Sequence, residues 1–451
     1  MRYFVQSWFS TPSSPIGVDF GSDCLRVAQV EQVDNQWRLT AAASADVPPH
    51  VRNEPFARFS FFTETIRELL TAGNFRGRRV MLNLPASFMY IQHLRLPKMD
   101  DESLKKALTW ETRGKFPFDP SQASLRHVIA GEIYHDQEPK YEVVVMAARR
   151  ELVEQFLAAA AKAKLDVAGI NVEPKAIIDC YSRVYRRKAD LDVATMFADI
   201  GCSATRVMIA RGGKLQFARS IPIGGENFSR AAAQALEIPL EQARVLRARI
   251  AAEEGDAPQE RHAVTPAASL TPAPAEPNDP SQLPLSEENS FALLSVSVAK
   301  TQRSETTASM AVAPAPSSMA VADRLTDVLP SETSPSVNGI ERQRIEEACR
   351  EPIRQLVDEL SLCRRYYEAT FPNQPVSRLI FVGGEANQRG MCQSIARNLG
   401  IAAQIGDPLS RMNHPGQIGI ESGIDRRRAQ PAWSVAIGLS MGQTVQTAET
   451  H

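Results

Sequence analysis

The strongest constraint on this chain is a repeat of itself. Val18-Asp19-Phe20-Gly21-Ser22-Asp23-Cys24-Leu25-Arg26-Val27 and Ala198-Asp199-Ile200-Gly201-Cys202-Ser203-Ala204-Thr205-Arg206-Val207 agree at Asp, Gly, Arg and Val with a constant offset of 180. Each copy ends an apolar strand and opens a hairpin. An acidic residue at a strand end followed by a glycine turn sets a carboxylate beside backbone N–H groups that can face a phosphate. One Asp-x-Gly turn is commonplace. Two with matched flanks predict opposed turns cradling a polyphosphate, with Asp19 and Asp199 holding Mg²⁺ through water. A third glycine turn, Gly383-Gly384-Glu385-Ala386, falls between a strand and a helix, where backbone can approach a ligand closely.

With 451 residues the chain has room for roughly two to four packed units. Lys plus Arg (51) nearly cancels Asp plus Glu (52), so no bulk field exists to hold nucleic acid or an anionic membrane. Six cysteines show no CxxC spacing, which argues against a zinc site and a disulfide framework. No apolar run approaches the roughly 18 residues of a spanning helix, and a cytoplasmic protein is expected.

Residues 261–340 hold 10 Pro, 13 Ser and 13 Ala with a single aromatic, Phe291, which cannot bury enough apolar surface to offset ordering entropy. A disordered insertion is therefore expected over 252–338. Upstream, 228–250 reads as helical, with an amphipathic helix near 226–236. Downstream, Ile345, Cys349, Ile353, Leu356, Val357, Leu360, Cys363 and Tyr367 recur at steps of three and four, a buried helical stripe. Apolar strands are expected at 16–20, 79–84, 142–147, 196–200, 206–210, 217–223 and 379–382, alternating with amphipathic helices in an α/β layered arrangement. His93 reads as a satisfied sheet histidine. Gly438-Leu439-Ser440-Met441-Gly442 matches a hydrolase GxSxG elbow only formally, because the triad's acid and histidine must follow it and only nine residues do, with His451 at the frayed end.

The ordered set of turns resembles the superfamily of actin, DnaK-type chaperones and sugar kinases, whose duplicated domains clasp ATP. That resemblance implies a first phosphate motif at Asp19, Gly21, Ser22 and Arg26, and a second at Asp199, Gly201, Ser203 and Thr205. It implies an adenosine motif at Gly383, Gly384, Glu385 and Ala386, and a water-orienting Glu173 in Glu173-Pro174. ATP and Mg²⁺ are the implied cofactors, with Asp19 and Asp199 as metal carboxylates acting through water. Between the two clamps, Leu94-Arg95-Leu96-Pro97, Lys115-Phe116-Pro117-Phe118-Asp119 and the strand 142–147, followed by Arg219-Ser220-Ile221-Pro222-Ile223-Gly224-Gly225, resemble the PilM-type proteins of type IV pilus assembly.

The implied fold is α/β, an actin-like duplicated (RNase H-like) two-domain fold with a small inserted α+β subdomain in the first half. The expected first domain is 15–79 and 166–195 with a C-terminal helix at 430–442, the inserted subdomain 80–165, and the second domain 196–251 and 339–429. A leader (1–14) and a polar tail (443–451) flank them. The implied role is a cytoplasmic scaffold, peripheral to the inner membrane and at most a slow ATPase, that captures the N-terminal tail of a PilN-like membrane protein, with other pilus assembly proteins as further partners. A nucleotide-free GspL-like secretion adaptor, an FtsA-like divisome actin and a small-molecule kinase are the alternatives.

Overall fold

The computed structural model describes residues 14–256 and 337–442, apart from 35, 53, 85, 136–137, 186, 414–417 and 419–421. Residues 1–13 of the expected leader, 257–336 of the expected insertion and the tail 443–451 lie outside the described residues. In chain order the elements are β1 (Ile16–Phe20), β2 (Cys24–Val33), β3 (Gln36–Asp46), α1 (Pro55–Ala72), β4 (Arg79–Asn83), β5 (Met89–Pro97), α2 (Asp101–Glu111), β6 (Ala123–His135), β7 (Glu138–Arg149), α3 (Arg150–Lys162), β8 (Asp166–Asn171) and α4 (Glu173–Ser182). The second half contributes α5 (Lys188–Leu191), β9 (Ala194–Ile200), β10 (Thr205–Arg211), β11 (Lys214–Ile221), α6 (Gly225–Leu236), α7 (Leu240–Asp256), α8 (Gly339–Thr370), β12 (Val376–Val382), α9 (Arg389–Leu399), β13 (Ala403–Ile405) and α10 (Ser434–Met441).

The repeat seen in two short motifs extends to whole sheets. One sheet runs β3-β2-β1-β4-β8 and the other β11-β10-β9-β12-β13, with antiparallel pairing on one side of the central β1 or β9 and parallel pairing on the other. Alternation on β2 shows how each sheet buries both faces. Leu25 and Val27 join Phe20, Phe62 and Phe156 under α1 and α3, whereas Ala28 and Val30 face the core shared with α4 and α10.

Three expectations change. Arg79–Asn83 pairs with β1 and β8 in the main sheet, and α3 packs on the first domain's core. The small sheet β5-β7-β6 with α2 therefore occupies 89–149, not 80–165. The helical stretch expected over 228–250 is two helices, the first matching the helix expected near 226–236, because Glu237 takes a left-handed conformation (φ 57°) and Pro239 cannot continue a helix. The insertion expected to begin at 252 leaves 252–256 in the last turns of α7. Its two ends meet, since the Val337 N–H donates to Glu253 at 3.0 Å.

The small subdomain is pinned to the edge strand β11 by one buried carboxylate. Glu142 on β7 accepts from His93 (2.9 Å) and from the Tyr366 hydroxyl on α8 (2.9 Å), and pairs with Arg95 (3.3 Å), while the other His93 nitrogen meets the Ala218 carbonyl of β11 at 3.1 Å. His93 is thus the satisfied sheet histidine its sequence suggested. Burial alone would raise the Glu142 carboxyl, but His93, Tyr366 and Arg95 together hold it below the ordinary glutamate value of 4.5. A depressed native pKa stabilises the fold above the unfolded value and is lost as pH falls through the native one. Glu142→Gln should therefore cost about 1–2 kcal/mol at pH 7. In urea melts the penalty should shrink below about pH 4, and an equal penalty at both pH values would remove the ionised carboxylate from this role.

Candidate functional site

The two Asp-x-Gly turns face each other across the cleft between the sheets. Cross-strand register sets Asp19 opposite Arg26 and Asp199 opposite Arg206, so each hairpin presents one carboxylate and one guanidinium side by side. The turns touch at their tips, where the Ser22 and Ser203 hydroxyls lie 3.1 Å apart. Behind the first turn, Arg58 of α1 donates to the Gly21 carbonyl at 3.0 Å and stacks its guanidinium over Phe20. Behind the second, the Gly225 and Glu226 N–H groups opening α6 donate to the Gly201 and Cys202 carbonyls.

Beneath the tips, Glu173 at the start of α4 joins the two aspartates. The Asn83 amide at the end of β4 donates to Asp19 Oδ1 (3.1 Å) and to Glu173 Oε1 (3.2 Å). Arg206 donates through Nη1 to Asp199 Oδ2 (3.2 Å), and its Nε forms an ion pair with Glu173 Oε2 whose angle falls short of a hydrogen bond. Gly383 (φ 87°) is required here, because a Cβ would stand 2.4 Å from Asp199 Oδ1. Burial pushes the Asp19 carboxyl up to about 6, against Arg26. It pushes Glu173 up to about 8, against Arg206, and raises Asp199 as well.

Two cavities meet at these turns. The inner one, about 40 Å³, is lined by Asp19, Ser22, Glu173, Asp199 and Arg206 among others, and holds a few water molecules at most. The outer one, about 560 Å³, opens between α7, the Gly384-Glu385 turn and the 423–430 loop, and is lined by Arg26, Arg52, Arg244, Arg247, Arg389 and Arg428. Asp23, Asp46, Glu241, Glu385 and Asp425 line it too, and Arg52 and Arg244 pair with Glu241, Arg247 with Glu385 and Arg428 with Asp425, so the cavity has nucleotide size and mixed charge. The metal expected on Asp19 and Asp199 fits less well. Mg²⁺ demands a near-octahedral shell and keeps several waters, whereas the inner cavity is small and the Asp199 carboxylate is engaged by Arg206.

Of the residues expected at the site, Asp19, Gly21, Ser22, Arg26, Glu173, Asp199, Gly201, Gly383 and Gly384 line the inner cavity, and Ser203 reaches it through Ser22. Thr205 does not: it is buried and its hydroxyl donates to the Ile223 carbonyl at 2.7 Å, tying the start of β10 to the segment between β11 and α6. Ala386 is buried and lines neither cavity. Glu385 faces the outer cavity paired with Arg247, its carboxylate seated where a Cβ on Gly225 would be. Ser440 of the formal GxSxG elbow is buried and structural, donating to the Pro15 carbonyl and accepting from the Val30 N–H. The sequence reading missed Asn83, Arg58 and Arg247. It had Arg206 in hand, as a matched residue of the repeat, and gave it no role.

The family model for the type IV pilus assembly protein PilM matches residues 17–260, and that for the cell division protein FtsA matches residues 196–438. Among solved structures the chain is similar to a PilM-PilN type IV pilus biogenesis complex, with a TM-score of 0.63 and 20% identity over 95% of this chain and 97% of that one. The ethanolamine utilization protein EutJ from Carboxydothermus hydrogenoformans aligns with a TM-score of 0.45 and 12% identity, over 96% of this chain and 90% of that one. No curated protein matches the sequence. The fold is actin-like, as the duplicated turns implied. Since the PilM model spans more than half of its length, the chain belongs to the PilM family of type IV pilus assembly proteins.

Proposed function

We propose that this protein is a nucleotide-binding scaffold of type IV pilus assembly that holds the cytoplasmic tail of a PilN-like membrane protein. The observation that carries the reading is the likeness to a PilM-PilN complex over nearly the full length of both chains, at the level of fold. No helix among the described residues is long and apolar enough to cross a membrane, which suits a scaffold that is held at the inner membrane through its partner. An extended tail docks by main-chain hydrogen bonds and a few apolar anchors. The groove proposed for it lies between the first domain and the small subdomain of β5, β6, β7 and α2. The arginine-lined outer cavity is the proposed seat of ATP, with the Gly383-Gly384 turn against the nucleoside and Arg26 toward the phosphates. Glu173, held at once by Asn83 and Arg206, suits a site that retains nucleotide more than one that turns it over.

The test is titration of a labelled N-terminal peptide from a PilN-like membrane protein of the same organism, with and without ATP. Affinity on the order of micromolar is expected, roughly 8 kcal/mol of binding. Absence of binding in both conditions sinks the scaffold reading. Tail binding with no calorimetric heat from ATP would leave the nucleotide-free adaptor instead.

A further inference from the structure

The two halves of the clamp carry the same pair of residues in the same register and use them differently. On the first hairpin Arg26, opposite Asp19, lines both cavities. On the second, Arg206 is turned inward, 8% exposed, with Nη1 on Asp199 and Nε against Glu173. The glycines around it leave room for that inward course: a Cβ on Gly201 would lie 3.1 Å from Arg206 Nη1, and one on Gly383 would collide with the other Asp199 oxygen. Asn83 takes up Asp19 and Glu173 from the opposite side. Each of the three carboxylates therefore already has a cationic or amide partner, and the cavity among them is about 40 Å³. Among the described residues no group of three or more Asp, Glu, His or Cys side chains is arranged to hold a metal ion.

We propose that the Arg206 guanidinium is a built-in cation that neutralises the carboxylates lining the inner cavity, so that this cleft takes up nucleotide without a divalent cation. The proposal deepens the nucleotide reading above and rests on it only for its second clause. The chemistry is one of charge balance. Asp19, Asp199 and Glu173 line one small buried cavity, and buried carboxylates persist only when paired or when they hold a metal. A fixed guanidinium supplies the pairing through donors already in place. Removing it leaves an acidic pocket that a cation can fill. Keeping it makes a metal compete with an intramolecular partner that is always present. Glu173 then serves as the anchor that keeps Arg206 inward, and Arg26 is left to meet the phosphates.

The test uses the full-length protein freed of metal and titrated with Mn²⁺ alone, followed by electron paramagnetic resonance. The wild-type protein should show no site that Asp199→Asn abolishes. Arg206→Gln, confirmed folded by its thermal melt, should gain one that binds on the order of tenfold or more tightly than anything in the wild type and that disappears in Arg206→Gln with Asp199→Asn. Arg206→Lys, which restores a cation, should return to the wild-type behaviour. A wild-type Mn²⁺ site lost in Asp199→Asn would overturn the proposal, whether or not Arg206→Gln folds. So would a folded Arg206→Gln protein that gains no site. In a second arm a fluorescent ATP analogue is titrated with Mg²⁺ and with EDTA. Affinities within about threefold of each other support the second clause, and a tenfold loss in EDTA overturns it. Failure to bind the analogue in either condition refutes the nucleotide reading and leaves the Mn²⁺ experiment to decide the role of Arg206.

Discussion

Gly438→Val should unfold this protein or lower its melting temperature by about 10 °C, the scale of a 4 kcal/mol loss in a chain of this size. The helices α4 and α10 cross between the two sheets at backbone contact. A Cβ on Gly438 would stand 2.0 Å from the Ala176 carbonyl oxygen and 2.7 Å from its carbon, and one on Gly17 of β1 would stand 2.0 Å from the Ala436 oxygen. The obstacles are backbone atoms in regular elements, so they cannot step aside as a side-chain tip would. Close-packed interiors answer such an insertion by moving whole helices. Those helices also position the site, since α4 begins with Glu173, the turn before α10 supplies Pro431 and α10 itself opens with Ser434 at the inner cavity. Gly442→Ala is the control. Its Cβ would meet nothing closer than 3.4 Å, and its effect should stay within about 0.5 kcal/mol. A Gly438→Val protein melting with the wild type would mean that the two helices do not pack at backbone distance.

The pattern of the sequence reached the fold because the repeat is carried by residues whose roles are backbone roles. A glycine that must turn and an acid that ends a strand look the same in any copy. The expected strand at 16–20 matches β1, and most of the other expected strands fall on the observed ones, short by a few residues at the ends. Six observed strands, β2, β3, β5, β6, β8 and β13, are not among those expected, and the last two lack an apolar signature. β8 reads Asp-Val-Ala-Gly-Ile-Asn with no fully buried residue, and β13 has three residues. Their places come from parallel pairing to β4 and β12, a tertiary fact. The break at Glu237 was legible in Pro239 and was overridden by the apolar periodicity on either side.

At the site the limit was of another kind. Register puts Arg26 and Arg206 in equivalent positions, and nothing along the chain says that one faces the cavities and the other turns back on its own acids. That choice is made by Glu173, which arrives on α4 from another part of the chain, and by Asn83 from β4. Arg58, Arg247 and Glu385 have the same history: each is a charged residue on or beside a helix whose partner comes from a distant part of the chain.

Asp19→Asn should make the protein more stable, by up to about 3 kcal/mol at pH 8 and by nothing below about pH 3. Asp19 ionises near 6 in the native state against an ordinary 3.8, chiefly because it is buried. A carboxyl whose native pKa is raised binds its proton more tightly folded than unfolded. Stability is therefore lost as pH rises from about 4 to about 6, and the cost stays constant above that, near 1.4 kcal/mol for each pH unit between the unfolded and native values. An amide of the same shape removes the charge and still accepts the Asn83 hydrogen bond. Denaturant melts across this range should show the variant and the wild type converging at low pH, the reverse of the Glu142→Gln pattern. A variant that is less stable than the wild type at pH 8 would mean that Arg26 offsets the desolvation of Asp19 in full. The same protein separates two accounts of the cleft. A carboxylate that holds nucleotide through a metal loses about tenfold or more in affinity when it becomes an amide. A carboxylate that faces phosphates with no metal between them repels them, so Asp19→Asn should bind ATP as well as the wild type or better. Stabilisation together with undiminished ATP binding is the outcome that a cleft neutralised by its own arginines requires.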